Sequence, residues 1–282
     1  MEGRVCGPSI LFVTMKKEIL VALSVLFVVV IVGCGLWIGY YVIDSHHQKE
    51  TYKTLTEKFV INESTPSITV VEGESSSVEE PPTDENTEED GLSTPPRHDL
   101  AALREENPDC VGWISIPDTT VDYPVVWTPS EPEHYLRRDF YGTYASGGTP
   151  FLDGRNAAQA SGQNLIIYGH NMLDGSMFKP ILQYLMPNFQ VTHTNIYLEL
   201  NGAQYRYEVV ATLETDISSP IYTYTDLEDQ TEMEEFCSLL LEETGQDPVS
   251  QAEGYLTLST CNDQGGNSRV LIIAALTEEV NR

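Results

Sequence analysis

Tyr255-Leu256-Thr257-Leu258-Ser259-Thr260-Cys261 is followed by a loop, residues 262–268, and then by Arg269-Val270-Leu271-Ile272-Ile273-Ala274-Ala275-Leu276. The loop holds Gly265-Gly266 and no apolar residue, so the stretch reads as two strands joined at a hairpin mouth. Side chains alternate along a strand. Leu256 and Leu258 therefore share one face, and Thr257, Ser259 and Cys261 share the other. Cys261 ends its strand on the more polar face, where a packing thiol would be out of place. If the strands pair, Arg269 opposes Cys261 with Cβ atoms about 5 Å apart. A guanidinium there favours a thiolate nucleophile or steadies negative charge forming on a bound substrate.

Working outward, the chain continues in the same texture. Strands are predicted at 111–116, 120–126, 149–152, 164–168, 195–200 and 204–214, the last two forming a hairpin about Asn201-Gly202. Asp99 is placed to cap a short helix that stops near Asn107-Pro108. Residues 131–138 and 176–185 read as helical. Met233, Phe236, Cys237, Leu240 and Leu241 mark the core-facing stripe of a further helix over 231–243, ended by Gly245. Many strands with few peripheral helices predict a mainly β fold, a closed β-barrel with helical insertions.

A thiol nucleophile needs a proton partner. Of six histidines, His170 stands apart: it follows the apolar strand Leu165-Ile166-Ile167-Tyr168 through Gly169 and opens a loop. On residue chemistry alone it is a structural histidine or the partner of Cys261, and both readings stand.

Ahead of this region lies a different kind of sequence. Residues 19–43 are 25 uncharged, largely apolar residues preceded by Lys16 and Lys17. About 20 such residues cross a bilayer, and basic flanks stay cytoplasmic. The expected topology is a cytoplasmic segment 1–18, a single spanning anchor 19–43, and everything after it outside the cell. Ile31-Val32-Gly33-Cys34 resembles a lipoprotein processing box, but the residues that follow stay apolar, which favours an uncleaved anchor. Met15-Lys16-Lys17 reads as an alternative start to Met1. Residues 44–97 read as an extracellular spacer. Its stretch 72–90 carries nine carboxylates and no Lys or Arg, too polar to bury a core. Residues 51–61 are expected to form a short helix continuing from the membrane.

The 282 residues carry a formal charge of −28, which excludes a nucleic-acid binder because phosphate contacts need a basic surface. Five scattered cysteines without a C-x-x-C pair exclude zinc ribbons and dithiol redox sites, and no disulfide framework is expected. Cys110 and Cys237 read as packing residues. No cofactor and no metal is expected.

Thr257-Leu258-Ser259-Thr260-Cys261 with Arg269 eight residues on resembles the active-site signature of the sortases. Tyr168-Gly169-His170-Asn171-Met172, continuing through Asp174-Gly175-Ser176-Met177-Phe178, resembles the class B histidine region. Asn107-Pro108-Asp109-Cys110-Val111-Gly112-Trp113-Ile114, Asp122-Tyr123-Pro124-Val125-Val126, Asp139-Phe140-Tyr141-Gly142 and Phe151-Leu152-Asp153-Gly154-Arg155-Asn156 fit the same family in the same order. The similarity spans 98–282, the expected catalytic domain.

The resemblance implies an eight-stranded barrel and a cysteine transpeptidase of Gram-positive bacteria. Cys261 would attack a threonine carbonyl in a C-terminal sorting motif, His170 would shuttle protons and Arg269 would hold the substrate and its oxyanion. Asp263 is a candidate supporting carboxylate. Tyr222, Thr223, Ser259 and Asn171 are candidate substrate contacts. The implied partners are surface proteins bearing sorting signals and an amine acceptor, either a peptidoglycan precursor or a pilin lysine. A hydrolase, a pilus-polymerising sortase and a non-catalytic peptide-binding module are the alternatives.

Overall fold

The computed structural model describes residues 17–61, 94–245, 248, 252–262 and 266–280. Asp263 lies outside the described residues. So do residues 1–16, which hold Met15, and residues 62–93, which make up most of the expected spacer. Two compact units are present, residues 1–46 and residues 47–282.

In the first unit the helix α1 (Lys17–Phe59) begins. Its apolar side chains from Ile19 to Ile43 are exposed, Phe27 by 66% and Trp37 by 69%. The helix is long and apolar enough, by length and composition, to cross a bilayer.

The second unit is a closed eight-stranded barrel. After α2 (Leu100–Glu106) come β1 (Cys110–Ser115), β2 (Asp122–Val126), β3 (Phe151–Leu152) and β4 (Asn164–Tyr168). A 3-10 turn (Lys179–Leu185) and α3 (Pro187–Thr192) lead to β5 (Asn195–Leu200) and β6 (Ala203–Asp216). Then follow a 3-10 turn (Pro220–Thr223), α4 (Gln230–Thr244), β7 (Tyr255–Cys261) and β8 (Ser268–Val280). The order around the barrel is β1-β2-β3-β4-β7-β8-β6-β5, closed by pairing of β5 with β1. Two pairs are parallel, β2 with β3 and β4 with β7.

Both faces of the central strands are buried, which departs from the polar face expected for β7. Leu165, Ile167, Leu256, Leu258, Val270 and Ile272 are fully buried on one side. On the other side, Tyr255, Leu271 and Ile273 pack under Ile221, Phe236, Cys237 and Leu240, brought by α4 and the turn before it. Thr257 is tolerated between these layers because its hydroxyl donates to Asn164 Oδ1 at 2.7 Å.

Local expectations hold where a cap or turn is encoded. Asp99 accepts from Ala102 N at 3.0 Å, Asp229 accepts from Thr231 N, and Gly245 ends α4 at φ +66°. Asn201 and Gly202 both take positive φ, as a tight hairpin turn of the primed type demands. Residues 131–138, expected as a helix, are instead successive turns with i to i−3 bonds such as His134 N to Glu131 O. The helix expected at 176–185 is instead a 3-10 helix over Lys179–Leu185 with Pro180 near its start, and α3 follows beyond it, starting at Pro187.

The compact unit begins at His47, ahead of the expected domain start at 98. Tyr52, Leu55 and Phe59 of α1 are buried on it. Val60 bridges His98, Ile61 N donates to Arg97 O at 2.7 Å, and His98 is fixed by Glu199 and stacked on Trp113. Residues 47–61 and 94–97, placed in the spacer by composition, therefore belong to the folded unit.

Candidate active site

The β7–β8 register opposes Cys261 and Arg269 at the hairpin mouth. The parallel register of β4 and β7 pairs Tyr168 with Ser259. Two residues further along each chain lie His170 and Cys261, so the topology delivers the imidazole to the thiol's end of the barrel. Gly169 stitches the two strand ends together: its N–H donates to Ser259 O at 3.1 Å and its carbonyl accepts from Thr260 Oγ1 at 2.8 Å. A side chain at this glycine would lie 2.5 Å from the Phe178 ring, so nothing larger fits. Asn171 Nδ2 donates to Cys261 O at 3.0 Å and to Asn262 O at 3.4 Å, pinning the backbone that carries the thiol.

Cys261, His170 and Arg269 line one cleft of about 460 Å³. His170 Nε2 lies 2.8 Å from Leu136 O. A carbonyl can only accept, so Nε2 carries the hydrogen and Nδ1 is the atom left to exchange a proton. Burial pushes the His170 imidazole below its ordinary range, the Leu136 bond opposes that shift, and nearby Arg137 reinforces it. Arg269 Nη1 donates to Gly266 O and Ser268 O, both at 2.9 Å, which ties the guanidinium to the hairpin loop.

An aromatic wall runs away from the thiol. Phe151 stacks on Tyr168 at 5.3 Å and Tyr168 on Tyr222 at 6.2 Å. Tyr222 and Ser259 share a hydroxyl hydrogen bond of 2.8 Å. Tyr168 donates to Asp153 Oδ2 at 2.8 Å, and Arg155 grips the same carboxylate through Nε at 2.9 Å and Nη2 at 2.7 Å. Burial pushes Asp153 up, but its hydrogen bonds to Arg155 and Tyr168 outweigh that and hold it below the usual carboxylate range.

Of the anticipated contact residues, Tyr222 and Ser259 line the cleft. Thr223 is exposed and turns its hydroxyl to Pro220 O, and Asn171 acts on backbone rather than lining the space. Phe151, Asp153, Arg155, Tyr168 and the Leu136 carbonyl are additions that residue chemistry alone did not reveal. The alternation of β4 could have found Tyr168, which lies on the face of its partner Ser259.

A family model described as "Sortase: Sortase domain" matches residues 114–277. Sortase B of Listeria monocytogenes is 34% identical over 171 residues, 60% of this chain and 69% of that protein. Sortase B of Staphylococcus aureus is 29% identical over 189 residues, 64% and 75% respectively. The structure titled "Staphylococcus aureus sortase B-substrate complex" matches with TM-score 0.57 and 26% identity, covering 64% of this chain and 84% of that one. With the barrel order and the cleft they surround, these likenesses mean that the chain belongs to the sortase family, in its class B.

Proposed function

We propose that the chain is a membrane-anchored cysteine transpeptidase acting through a thioester on Cys261. The sulfur attacks the carbonyl carbon of a threonine in a sorting motif while the thiol proton passes to His170 Nδ1. The tetrahedral oxyanion is met by the Arg269 guanidinium. On collapse the peptide C–N bond breaks, His170 returns the proton to the leaving amine, and the acyl group remains on sulfur. An incoming amine then attacks the thioester, gives its proton to His170, and releases the thiol. The observation that carries this reading is the convergence of Cys261, His170 and Arg269 on one cleft from three strand ends. The aromatic wall offers a floor for an extended motif, in keeping with a relative whose structure is titled a substrate complex.

The apolar segment 19–43 is the anchor in this reading, with Lys16 and Lys17 inside and the barrel outside. Surface proteins with sorting signals are the donors, and a cell-wall precursor amine is the acceptor.

The test is intact mass spectrometry of the full chain with a panel of sorting-motif peptides, and Cys261→Ala beside it. The expected result is a mass gain equal to the peptide up to its threonine, absent in the variant. Added amine should convert the adduct to a transfer product, whereas release only as free acid would show a hydrolase. Binding without any adduct or cleavage would show a peptide-binding module.

A further inference from the structure

The part of α1 that follows the apolar span reaches the histidine by two routes. The first runs through the loop after His170. Phe178 N donates to His170 O at 2.9 Å and Asn171 bridges Met177, so residues 170–178 form a loop rooted on the imidazole's own backbone. Asp174 stiffens its tip by accepting from Ser176 N and Oγ. Lys49 of α1 grasps that tip: its Nζ lies 2.9 Å from Asp174 Oδ2 and donates to Asp174 O at 3.2 Å.

The second route runs through the acceptor of His170. The buried Tyr52 hydroxyl donates to Gly148 O at 2.7 Å and lies 2.9 Å from Thr149 Oγ1. Thr149 N donates to Tyr135 O. Gly148 sits so close to the Leu136 carbonyl that an added Cβ would be 2.5 Å from its oxygen. That oxygen is the one His170 Nε2 donates to. Beside Tyr52, Gln48 Oε1 accepts from Gly147 N at 3.3 Å.

We infer that residues 47–59 of α1 are a positioning element for His170, with Tyr52 and Lys49 as its positioning residues. The inference rests on the reading of His170 as the proton shuttle. A hydroxyl that fixes the carbonyl strand behind an imidazole sets where Nδ1 points. Misplacement of a reacting group by about 1 Å costs on the order of a hundredfold in rate. Loss of one buttress of two should therefore cost less than that.

The experiment uses the full chain in detergent or nanodiscs and compares Tyr52→Phe, which removes one oxygen and keeps the ring, with Lys49→Ala, whose exposed position leaves folding intact. Transpeptidation kinetics and the nitrogen-15 spectrum of the His170 side chain are read together. In Tyr52→Phe, kcat should fall about tenfold with KM within about twofold, and the His170 signal should change from one Nε2-protonated tautomer to a mixture. Lys49→Ala should move both in the same direction by less. Unchanged kcat and an unchanged tautomer signal in Lys49→Ala, together with either the same in Tyr52→Phe or failure of Tyr52→Phe to fold, would overturn the inference and leave α1 a purely stabilising element. His170→Ala and Cys261→Ala run in the same assay. If His170→Ala kept full activity, the reading of the site would fail rather than the buttress.

Discussion

At the scale of single residues, His170 is set by what surrounds it. Its imidazole is held below the ordinary range by burial, so the folded state binds fewer protons there than the unfolded chain does. Stability from this site is present above the ordinary imidazole pKa and is lost as pH falls through that value to the lowered one. Urea unfolding at successive pH values should show the wild type losing more stability between about pH 7.5 and 5 than His170→Gln does. Equal slopes would mean that the imidazole is not desolvated. Asn171 makes a second prediction: Asn171→Ala frees the carbonyls of Cys261 and Asn262, and kcat should drop about tenfold while the fold persists. The opposition of Cys261 and Arg269 was legible because the two residues flank a polar glycine loop between two strand-like runs, and the observed register bears it out. The partner of His170 Nε2 was not, because it is a backbone carbonyl from a segment 34 residues earlier, and a carbonyl has no residue type to read.

At the scale of elements, the contrast between α4 and residues 131–138 is instructive. Both look helical by spacing. The first has an Asp cap, an apolar stripe against Tyr255 and a left-handed Gly245 to stop it. In the second, Leu136 O accepts from His170 Nε2, and Tyr135 O accepts from Thr149 N as well as from Arg138 N in a turn, so the segment is held by tertiary and turn bonds rather than by a helical ladder. Tertiary bonding overrode spacing at the point where the site needed those carbonyls. Helix α4 shares one apolar cluster with Tyr255 of β7 and with Leu271 and Ile273 of β8. Asp229→Ala should lower the denaturant midpoint of unfolding with little change in kcat. Phe236→Ala, which removes a ring packed on Tyr224 and Tyr255, should cost about 3–5 kcal/mol.

At the scale of the whole molecule, the barrel was legible as alternating strands and turns. Its closure through β5 and β1 and its parallel β4–β7 pair are long-range events that no local pattern announces. The domain start was misplaced for a related reason. Residues 47–61 are polar enough to read as linker, yet Tyr52, Leu55 and Phe59 fall on one helical face and bury against the barrel. Truncation at residue 98 should therefore lower the melting temperature and kcat together, and adding residues 47–61 in front should restore both.

The bridge between Val60 and His98 changes what the acidic sequence between them can do. A tether sets the distance between the things at its two ends, but these ends are already fastened to each other. Ile61 and Arg97, on either side of that sequence, lie side by side, so its length does not set how far apart they are. A protease cut within residues 62–93 should leave the two fragments comigrating and active.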